Sequence, residues 1–456
     1  MRNVGIVSVG YNGRFVSKRP DINIPELLQA AVENALAKTR LKLQDVDAFV
    51  EGNMPTFEGI NYPHLWFSDH IGAVNKPLLR ISTGGTTGMS AFHSAYYCVA
   101  SGLYDTVMVI CWEKHDEGDA QVGLAGIVFP EIFTLFSFVP SMTGAGPGGV
   151  TGGGSTGGAS FQAMSYLAKA RGEVEHIDMI AAQARSNAAL NPYAHLQHPG
   201  CTKEDIAKTP MVSYPLRFGH TCPTSCGACA MILTTEEKAG RIADSVAWVK
   251  AVGTGSTDAA TANLIEGQIT DPAEQAMCRK IAKKAYEMAG IQDPKKEIQV
   301  AEVYDGFAFQ ELMWPERLGL IDEGKGPEMV ARGALAIDGE MPINPSGGVV
   351  STNAIGASAL VRVAEAALQV MGAAEGGHQV PRKVHNALAH GWGGLFQFVT
   401  ITIVGDTPAR RCSRHRGEPG GPGRTPRTGP GSKPHVVPPL PRTSGLRESR
   451  QGWKGG

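Results

Sequence analysis

Three short stretches in the second half of the chain decide the fold, and they follow one another in a fixed order. They are Val303–Phe307 (VYDGF), Gly347–Ala357 (GGVVSTNAIGA) and His390–Gly394 (HGWGG). Their glycines permit tight turns and close backbone contacts. Between the glycines stand side chains that can donate or accept a proton, above all Tyr304 and His390.

The segments around these stretches alternate between strand-like and helix-like patterns. The segment Val4–Gly10 and the apolar run Thr106–Cys111 predict buried strands, and Ile298–Val303 predicts a further strand. Helical spacing of apolar residues predicts a helix over Ile24–Lys38, and a run of small residues predicts another over Ile355–Val370. Because strand, helix and strand recur in both halves, the sequence predicts an α/β fold.

Composition limits the protein to a few classes. With 456 residues, 42% of them hydrophobic, the chain can form two domains or one large duplicated unit. No stretch approaches the ~20 apolar residues of a membrane helix, and the first residues lack the layout of a signal peptide. Eight cysteines in such a chain indicate reduced thiols rather than a disulfide framework. We therefore expect a cytoplasmic protein that does not span a membrane.

Charge divides the chain into two unlike parts. The 48 residues from 409 to 456 contain 11 Lys or Arg and two Asp or Glu, although the whole chain has a net charge of −1. The remainder is therefore acidic, which argues against a nucleic-acid partner. The segment 409–456 is rich in Arg, Pro and Gly and predicts a disordered basic tail. A membrane- or RNA-touching arm and an out-of-frame read-through are the alternatives.

The three stretches resemble the thiolase superfamily, in particular the sterol-carrier-protein-x type. That family usually reads His-Asp-Cys-Phe at the first stretch, Gly-Gly…Gly-His-Pro…Gly-Ala at the second and Gly-x-Gly-Gly at the third. In the first half, Asn187–Ala194 and Cys222–Ala230 are similar to the family's Asn-Pro-Tyr-Ala and Cys-Pro…Asp-Gly-Ala-Ala-Ala segments.

The resemblance covers about residues 1–405 and implies a thiolase fold, a duplicated five-layered αβαβα arrangement. It divides the chain into an N-terminal half at 1–245, which includes a loop region at 113–215, and a C-terminal half at 246–408.

The resemblance also places a nucleophilic cysteine at the start of the first-half helix, predicted here over Ser82–Ser101. A helix N-terminus lowers a thiol pKa and prepares it for attack. This chain has Gly85 at that position and no thiol nearby. The free N–H groups there can still bind an anion or enolate oxygen. The predicted substrate-binding glycines are Gly84, Gly85, Gly348, Gly391 and Gly393.

Three further positions of the family's chemistry are changed. Tyr304 replaces a histidine, and its hydroxyl can donate to a carbonyl oxygen or take a proton. The alternative is a buried tyrosine that makes only a structural hydrogen bond. Asn353 replaces the histidine that polarises the thioester oxygen; an amide still donates but carries no proton. His390 stands near the position of the family's second cysteine base and is predicted to act as acid or base. Asp305 is expected to orient the loop.

Cys222, Cys226 and Cys229 form a Cys-x₃-Cys-x₂-Cys pattern. With His220 they could supply four zinc ligands, although no metal site is expected because the segment leads into a buried strand. The other hypothesis is that Cys222 or Cys226 provides the missing nucleophile from a neighbouring loop.

The resemblance implies carbon–carbon bond chemistry on acyl-CoA thioesters. The first prediction is thiolytic cleavage of a β-keto acyl-CoA such as benzoylsuccinyl-CoA in aromatic hydrocarbon degradation. Coenzyme A is then a co-substrate, and no bound cofactor is expected. The alternatives are retro-aldol cleavage of a β-hydroxy acyl-CoA, as in a steroid side chain, and a catalytically silent scaffold subunit. The resemblance also implies a homodimeric core that joins a small zinc-ribbon/OB-fold subunit in a heterotetramer.

Overall fold

A computed structural model describes residues 1–118, 155–257, 271–394 and 397–409. Apart from Ala409, the predicted basic tail therefore lies outside the described residues, as does part of the predicted loop region at 113–215.

Eleven strands are found among the described residues. They are β1 Val4–Tyr11, β2 Ala48–Gly52, β3 Leu78–Ile81, β4 Thr106–Glu113, β5 Met211–Ser213, β6 Leu216–Arg217, β7 Gly227–Thr235, β8 Ala247–Ser256, β9 Val300–Glu302, β10 Asn386–Gly393 and β11 Phe398–Gly405. Every residue of β1 and β4 is buried, as their sequences predict, and every residue of β7 is buried as well.

Twelve α-helical segments are described. They are α1 Ile24–Ala37, α2 Thr87–Ala100, α3 Ser155–Ala170, α4 Val174–Leu190, α5 Lys203–Ala207, α6 Glu236–Ile242, α7 Ala276–Ala289, α8 Pro294–Glu297, α9 Gln310–Arg317, α10 Gly326–Ala331, α11 Gly348–Ser351 and α12 Ile355–Met371. None of these helices combines the length and apolarity needed to cross a bilayer.

Nine strands form one mixed sheet in the order β3-β2-β4-β7-β1-β8-β11-β10-β9. In the first part, β1 and β7 are antiparallel, β7 and β4 are antiparallel, and β4, β2 and β3 are parallel. The second part repeats this pattern, with β8, β11 and β10 antiparallel in turn and β10 parallel to β9. Among the described residues, two residue pairs between β1 and β8 join the two parts of the sheet.

Helices α2 and α12 pack on each other between the two parts of the sheet. A Cβ atom on Gly88 would lie 2.4 Å from the backbone nitrogen of Leu360, so only a glycine allows this approach. Helix α1 covers the outer face of the first part, and α7 covers β8 and β11. The succession helix, sheet, helix pair, sheet, helix confirms the predicted α/β fold with its layered duplication.

The first central helix begins later than the sequence suggests, at Thr87 rather than near Ser82. Gly84 adopts a left-handed conformation with φ of +66°, and the Thr87 hydroxyl donates to the Gly84 carbonyl over 2.6 Å. This turn holds Gly84 and Gly85 in a loop ahead of the helix, where they can face the neighbouring strand ends.

Candidate active site

Four loops meet where two parallel strands end and the two central helices begin. Tyr304 follows β9, and Gly393 ends β10. Gly85 precedes α2, and Asn353 precedes α12. Ligand sites of α/β folds form at the carboxyl ends of parallel strands, and helix starts offer free N–H groups. The predicted residues are therefore brought together at a suitable place.

Gly85 is packed against the main chain of β10. A Cβ atom on Gly85 would lie 2.4 Å from the carbonyl oxygen of Trp392 and 3.3 Å from the hydroxyl oxygen of Tyr304. Cβ atoms essentially never come within 3.0 Å of another atom, so a side chain fits only if the backbone shifts. A Cβ atom on Gly393 would in turn lie 2.7 Å from the nitrogen of Gly85. Main chain closes the position where the family has its thiol, and the Tyr304 hydroxyl lies beside it.

Tyr304 is buried, with 4% of its surface exposed. Burial raises the pKa of its hydroxyl well above the ordinary value, and the neighbouring Cys222 and Asp305 raise it further. A hydrogen bond with the Ser358 hydroxyl acts in the opposite direction on this pKa. Near neutral pH the side chain is a neutral phenol, which suits a hydrogen-bond donor or a proton donor.

A line of hydrogen bonds leads from Tyr304 to Cys222. The Ser358 hydroxyl, which contacts Tyr304, donates to Oδ1 of Asn353 over 2.8 Å. Nδ2 of Asn353 donates to the sulfur of Cys222 over 3.2 Å. The amide nitrogen of Asn353 carries two hydrogens, and the contact with Cys222 uses one of them.

The first half of the chain holds the backbone of Asn353 through Ser225. The nitrogen of Asn353 donates to Oγ of Ser225 over 3.0 Å, and the nitrogen of Ser225 donates to the Asn353 carbonyl over 2.9 Å. Oγ of Ser225 lies 2.9 Å from Nδ1 of His195. Burial, helped by Arg14 and Arg185, lowers the pKa of His195 to about 4, so a neutral imidazole accepts the Ser225 proton.

The two cysteines proposed as relocated nucleophiles have different surroundings. Cys222 belongs to the line just described, whereas the Cys226 thiol donates to Asp116 over 3.1 Å and contacts the Ser17 carbonyl. Burial raises the pKa of each thiol to about 12, with Asp305 adding to it at Cys222 and Asp116 at Cys226. Both are protonated near neutral pH, and this opposes nucleophilic attack because the thiolate is the reactive form.

His390 lies behind Tyr304. Its Nδ1 accepts a hydrogen bond from the Tyr304 backbone nitrogen over 3.4 Å, and its ring packs on Trp314 with centroids 4.6 Å apart. Burial lowers the pKa of His390 to about 3, so the imidazole is neutral. Within the described residues its Nε2 has no hydrogen-bond partner. The geometry lets His390 position the Tyr304 loop, while burial opposes its protonation.

Asp305 ties the Tyr304 loop to the second glycine stretch. Its carboxylate accepts hydrogen bonds from the nitrogens of Val349 over 2.6 Å and Val350 over 3.2 Å. A Cβ atom on Gly348, whose φ is +68°, would lie 2.4 Å from this carboxylate. A Cβ atom on Gly391 would lie 2.3 Å from the Thr400 hydroxyl. Gly348 and Gly391 therefore serve close packing, whereas Gly85 and Gly393 contact each other beside the Tyr304 hydroxyl.

A buried carboxyl pair near this site escaped the sequence analysis. Glu113 ends β4 and accepts hydrogen bonds from the nitrogens of Gly356 over 2.6 Å and Met54 over 3.2 Å. Burial raises the pKa of Glu113, and the adjacent Glu58, also buried, has its pKa raised to about 7. The pair retains a proton and fixes the start of α12. An acid that closes an apolar strand is the signal that could have identified it.

The four residues proposed as zinc ligands do not lie together. Nε2 of His220 lies 2.7 Å from Asp178, and its Nδ1 accepts from the nitrogen of Arg217 over 3.0 Å. Across the described parts of the chain, the three cysteines at 222, 226 and 229 form no metal-binding group with His220.

Comparison with known proteins identifies a matching family model and several relatives of this chain. A family model described as "Thiolase C-terminal domain-like" matches residues 259–406. The acetyl-CoA acetyltransferase of Methanothermobacter thermautotrophicus is 25% identical, over 86% of this chain and 97% of that protein. Sterol carrier protein 2 of Homo sapiens is 27% identical, over 88% of this chain and 72% of its own. The benzoylsuccinyl-CoA thiolase subunit BbsB of Thauera aromatica is 26% identical, over 70% and 77%.

Solved structures agree on the fold. The Ltp2-ChsH2(DUF35) aldolase superposes with a TM-score of 0.71 at 21% identity, covering 89% of this chain and 98% of that one. Fold and site together define a thiolase-fold protein. The chain is similar to the sterol-carrier-protein-x type of the thiolase superfamily, and its C-terminal part matches the thiolase C-terminal domain. It is a thiolase-like enzyme, and its relatives support carbon–carbon bond chemistry on acyl-CoA thioesters.

Proposed function

We propose that the chain cleaves, or in reverse forms, the Cα–Cβ bond of a β-hydroxy acyl-CoA by retro-aldol chemistry without an acyl-enzyme. One observation carries this proposal. The nucleophile position at Gly85 is filled by the Trp392 carbonyl, and a phenol hydroxyl lies 3.3 Å from where a side chain would begin. A site without a thiolate but with a proton donor suits a reaction that needs proton transfer only.

The proposed step is balanced without a co-reactant. The β-hydroxyl group loses its proton, the Cα–Cβ bond breaks, and the electron pair becomes a thioester enolate while the β-carbon becomes a carbonyl. The α-carbon of the enolate then takes up a proton. The products are a ketone or aldehyde and a shorter acyl-CoA.

Tyr304 is the group that we propose moves the β-oxygen proton. In the bond-forming direction its neutral phenol gives a proton to the developing alkoxide, and cleavage runs along the same path in reverse. The contact with Ser358 acts against the burial that raises the Tyr304 pKa. Gly84 and Gly85, at the start of α2, are proposed to present N–H groups to the enolate oxygen.

A second candidate is thiolytic cleavage of a β-keto acyl-CoA such as benzoylsuccinyl-CoA, with coenzyme A as co-substrate. The names of the acetyltransferase relatives and of BbsB favour it. Cys222 is then the nucleophile, because the Asn353 hydrogen bond partly offsets the burial that raises its pKa. The third candidate, a catalytically silent scaffold, does not explain the surroundings of Tyr304.

The test uses the full chain purified together with its partner subunit. β-Hydroxy and β-keto acyl-CoAs are offered with and without free coenzyme A, and products and thiol consumption are measured by mass spectrometry and a thiol reagent. The proposal expects cleavage of the β-hydroxy substrate with no thiol consumed. Cleavage of the β-keto substrate with one thiol consumed per turnover would establish thiolysis instead, and no turnover of either would establish the scaffold.

We also propose a homodimeric core that binds a small zinc-ribbon/OB-fold subunit to give a heterotetramer. The support is that the aldolase neighbour is named for two proteins and that BbsB is named as a subunit. Co-expression followed by size-exclusion chromatography with light scattering tests the assembly. A monodisperse, fully active monomer would contradict it.

A further inference from the structure

Three side chains of types that can bind metals lie together outside the reaction site, two on a turn and one on α5. They are His198, Cys201 and Asp205, and one ligand atom from each lies within 4.8 Å of the others. Among the residues that the structure describes, this is the one such group. We propose that these three residues bind a zinc ion.

A tight turn sets His198 and Cys201 side by side. The nitrogen of Cys201 donates to the His198 carbonyl over 3.2 Å, and Gly200, at the third position of the turn, has a φ of +66°. Pro199 at the second position and glycine at the third are the residues that a type II turn requires. The nitrogen of His198 donates to the Arg185 carbonyl over 3.3 Å, which anchors the turn to α4. Little chain entropy remains to be lost when a metal binds.

Asp205 is oriented independently by the start of α5. Its Oδ2 accepts hydrogen bonds from the hydroxyl of Thr202 over 2.6 Å and from the nitrogen of Thr202 over 3.1 Å. Its Oδ1 has a looser contact, an ion pair of 3.5 Å with the exposed Lys208. One carboxylate oxygen is therefore fixed by the cap, and the other can exchange Lys208 for a metal.

The donor set selects the metal. Imidazole nitrogen, thiolate sulfur and carboxylate oxygen are the ligands of zinc, whereas magnesium and calcium take oxygen ligands. Ligand atoms around a zinc ion stand ~2.0–2.3 Å from it, so the three side chains have to draw closer by a small rotation. His198 is exposed and free to make it. Three protein ligands leave a fourth position for water or another ligand.

The cap and the turn do not by themselves account for the group. The capping box explains Asp205, and the turn explains Pro199 and Gly200, but neither requires a thiol at 201 or an imidazole at 198. Burial raises the pKa of the Cys201 thiol while Arg185 lowers it. Metal binding therefore has to release the thiol proton, and affinity should rise with pH.

The test is direct metal binding to the metal-stripped full chain. Cobalt(II) is titrated first, because a thiolate ligand gives a charge-transfer band in the near ultraviolet, and zinc then displaces it. We expect one cobalt per chain with that band. Cys201→Ser should abolish the band, and His198→Gln, which removes a direct ligand, should weaken binding by more than the ~10–100-fold that loss of an outer-shell partner costs. His198 is exposed, so its variant keeps the test valid if the buried Cys201→Ser fails to fold.

Two matched variants control for unrelated ligands. Cys98→Ser alters a half-buried thiol on α2, and His385→Gln alters an exposed imidazole near the start of β10. Neither should change the cobalt band or the zinc affinity. Absence of the band at equimolar cobalt, or its persistence in Cys201→Ser, would overturn the proposal.

Discussion

The two central helices begin in opposite ways, although they occupy equivalent places in the two halves. The segment before α2 offers main chain only, since Gly85 is packed on the Trp392 carbonyl. At the start of α12, in contrast, the Ser358 hydroxyl donates to Asn353, and the Glu113 carboxyl accepts from the nitrogen of Gly356. The segment before α2 is therefore a wall of main chain, whereas the start of α12 is surrounded by side chains that can hold or move protons.

The largest expected effect comes from removing the proton donor on the second-half side. Tyr304→Phe should lower kcat on the cleaved substrate by ~10²–10⁴-fold, the usual loss for a general acid or base. Tyr286→Phe is the matched control, because that buried hydroxyl donates to the Leu318 carbonyl over 2.7 Å, away from the site. Near-normal turnover in Tyr304→Phe would show that Tyr304 is not the proton donor.

The wall on the first-half side is tested by giving it a side chain. Gly85→Cys should destabilise the fold by ~1–3 kcal/mol, as overpacking does, and should not introduce thiolysis. Gly240→Cys is the control, since nothing lies within 4 Å of a Cβ atom there. Denaturant unfolding of both variants gives the comparison. A stable Gly85→Cys enzyme that forms a trapped acyl-thioester would show that the wall yields.

The third prediction concerns His390, the neutral buried imidazole that contacts the backbone of Tyr304. Because burial lowers its pKa from 6.5 to about 3, the unfolded chain binds a proton that the folded chain does not between these values. Stability should therefore fall on acidification through this window, by up to ~1.4 kcal/mol per pH unit for this group. His390→Gln should flatten the slope by that amount, and the exposed His385→Gln should not. An unchanged slope in His390→Gln would contradict its neutral burial.

The smallest effect is expected at Ser358. Ser358→Ala removes one hydrogen bond worth ~1 kcal/mol, so kcat should fall about tenfold or less. The pH at which Tyr304 ionises should rise, because the Ser358 hydroxyl lowers that pKa. Ser94→Ala is the control on α2, where the hydroxyl donates to the Ser90 carbonyl over 2.9 Å. A pH–rate profile that does not move would limit Ser358 to a packing role.

Sequence patterns predicted the parts of the site that are set by backbone. The resemblance pointed to Gly85, Gly393 and Tyr304, and close packing against main chain excludes a side chain at the two glycines. Nothing in the sequence separates Ser358 from its small neighbours on α12, since a core helix uses serine and alanine alike. Whether Cys222 or Cys226 faces Asn353 depends on the path of the loop before β7. Non-local contacts, not local pattern, decide such positions.

The contact between Gly85 and Gly393 also bears on how this protein can change. A cysteine at position 85 is acceptable only after the end of β10 has withdrawn, and that withdrawal has no benefit until the cysteine is present. A cysteine at position 85 and a substitution that moves the end of β10 are thus epistatic. Thiol catalysis from position 85 would need both steps together, and the packing of Gly85 against β10 opposes it.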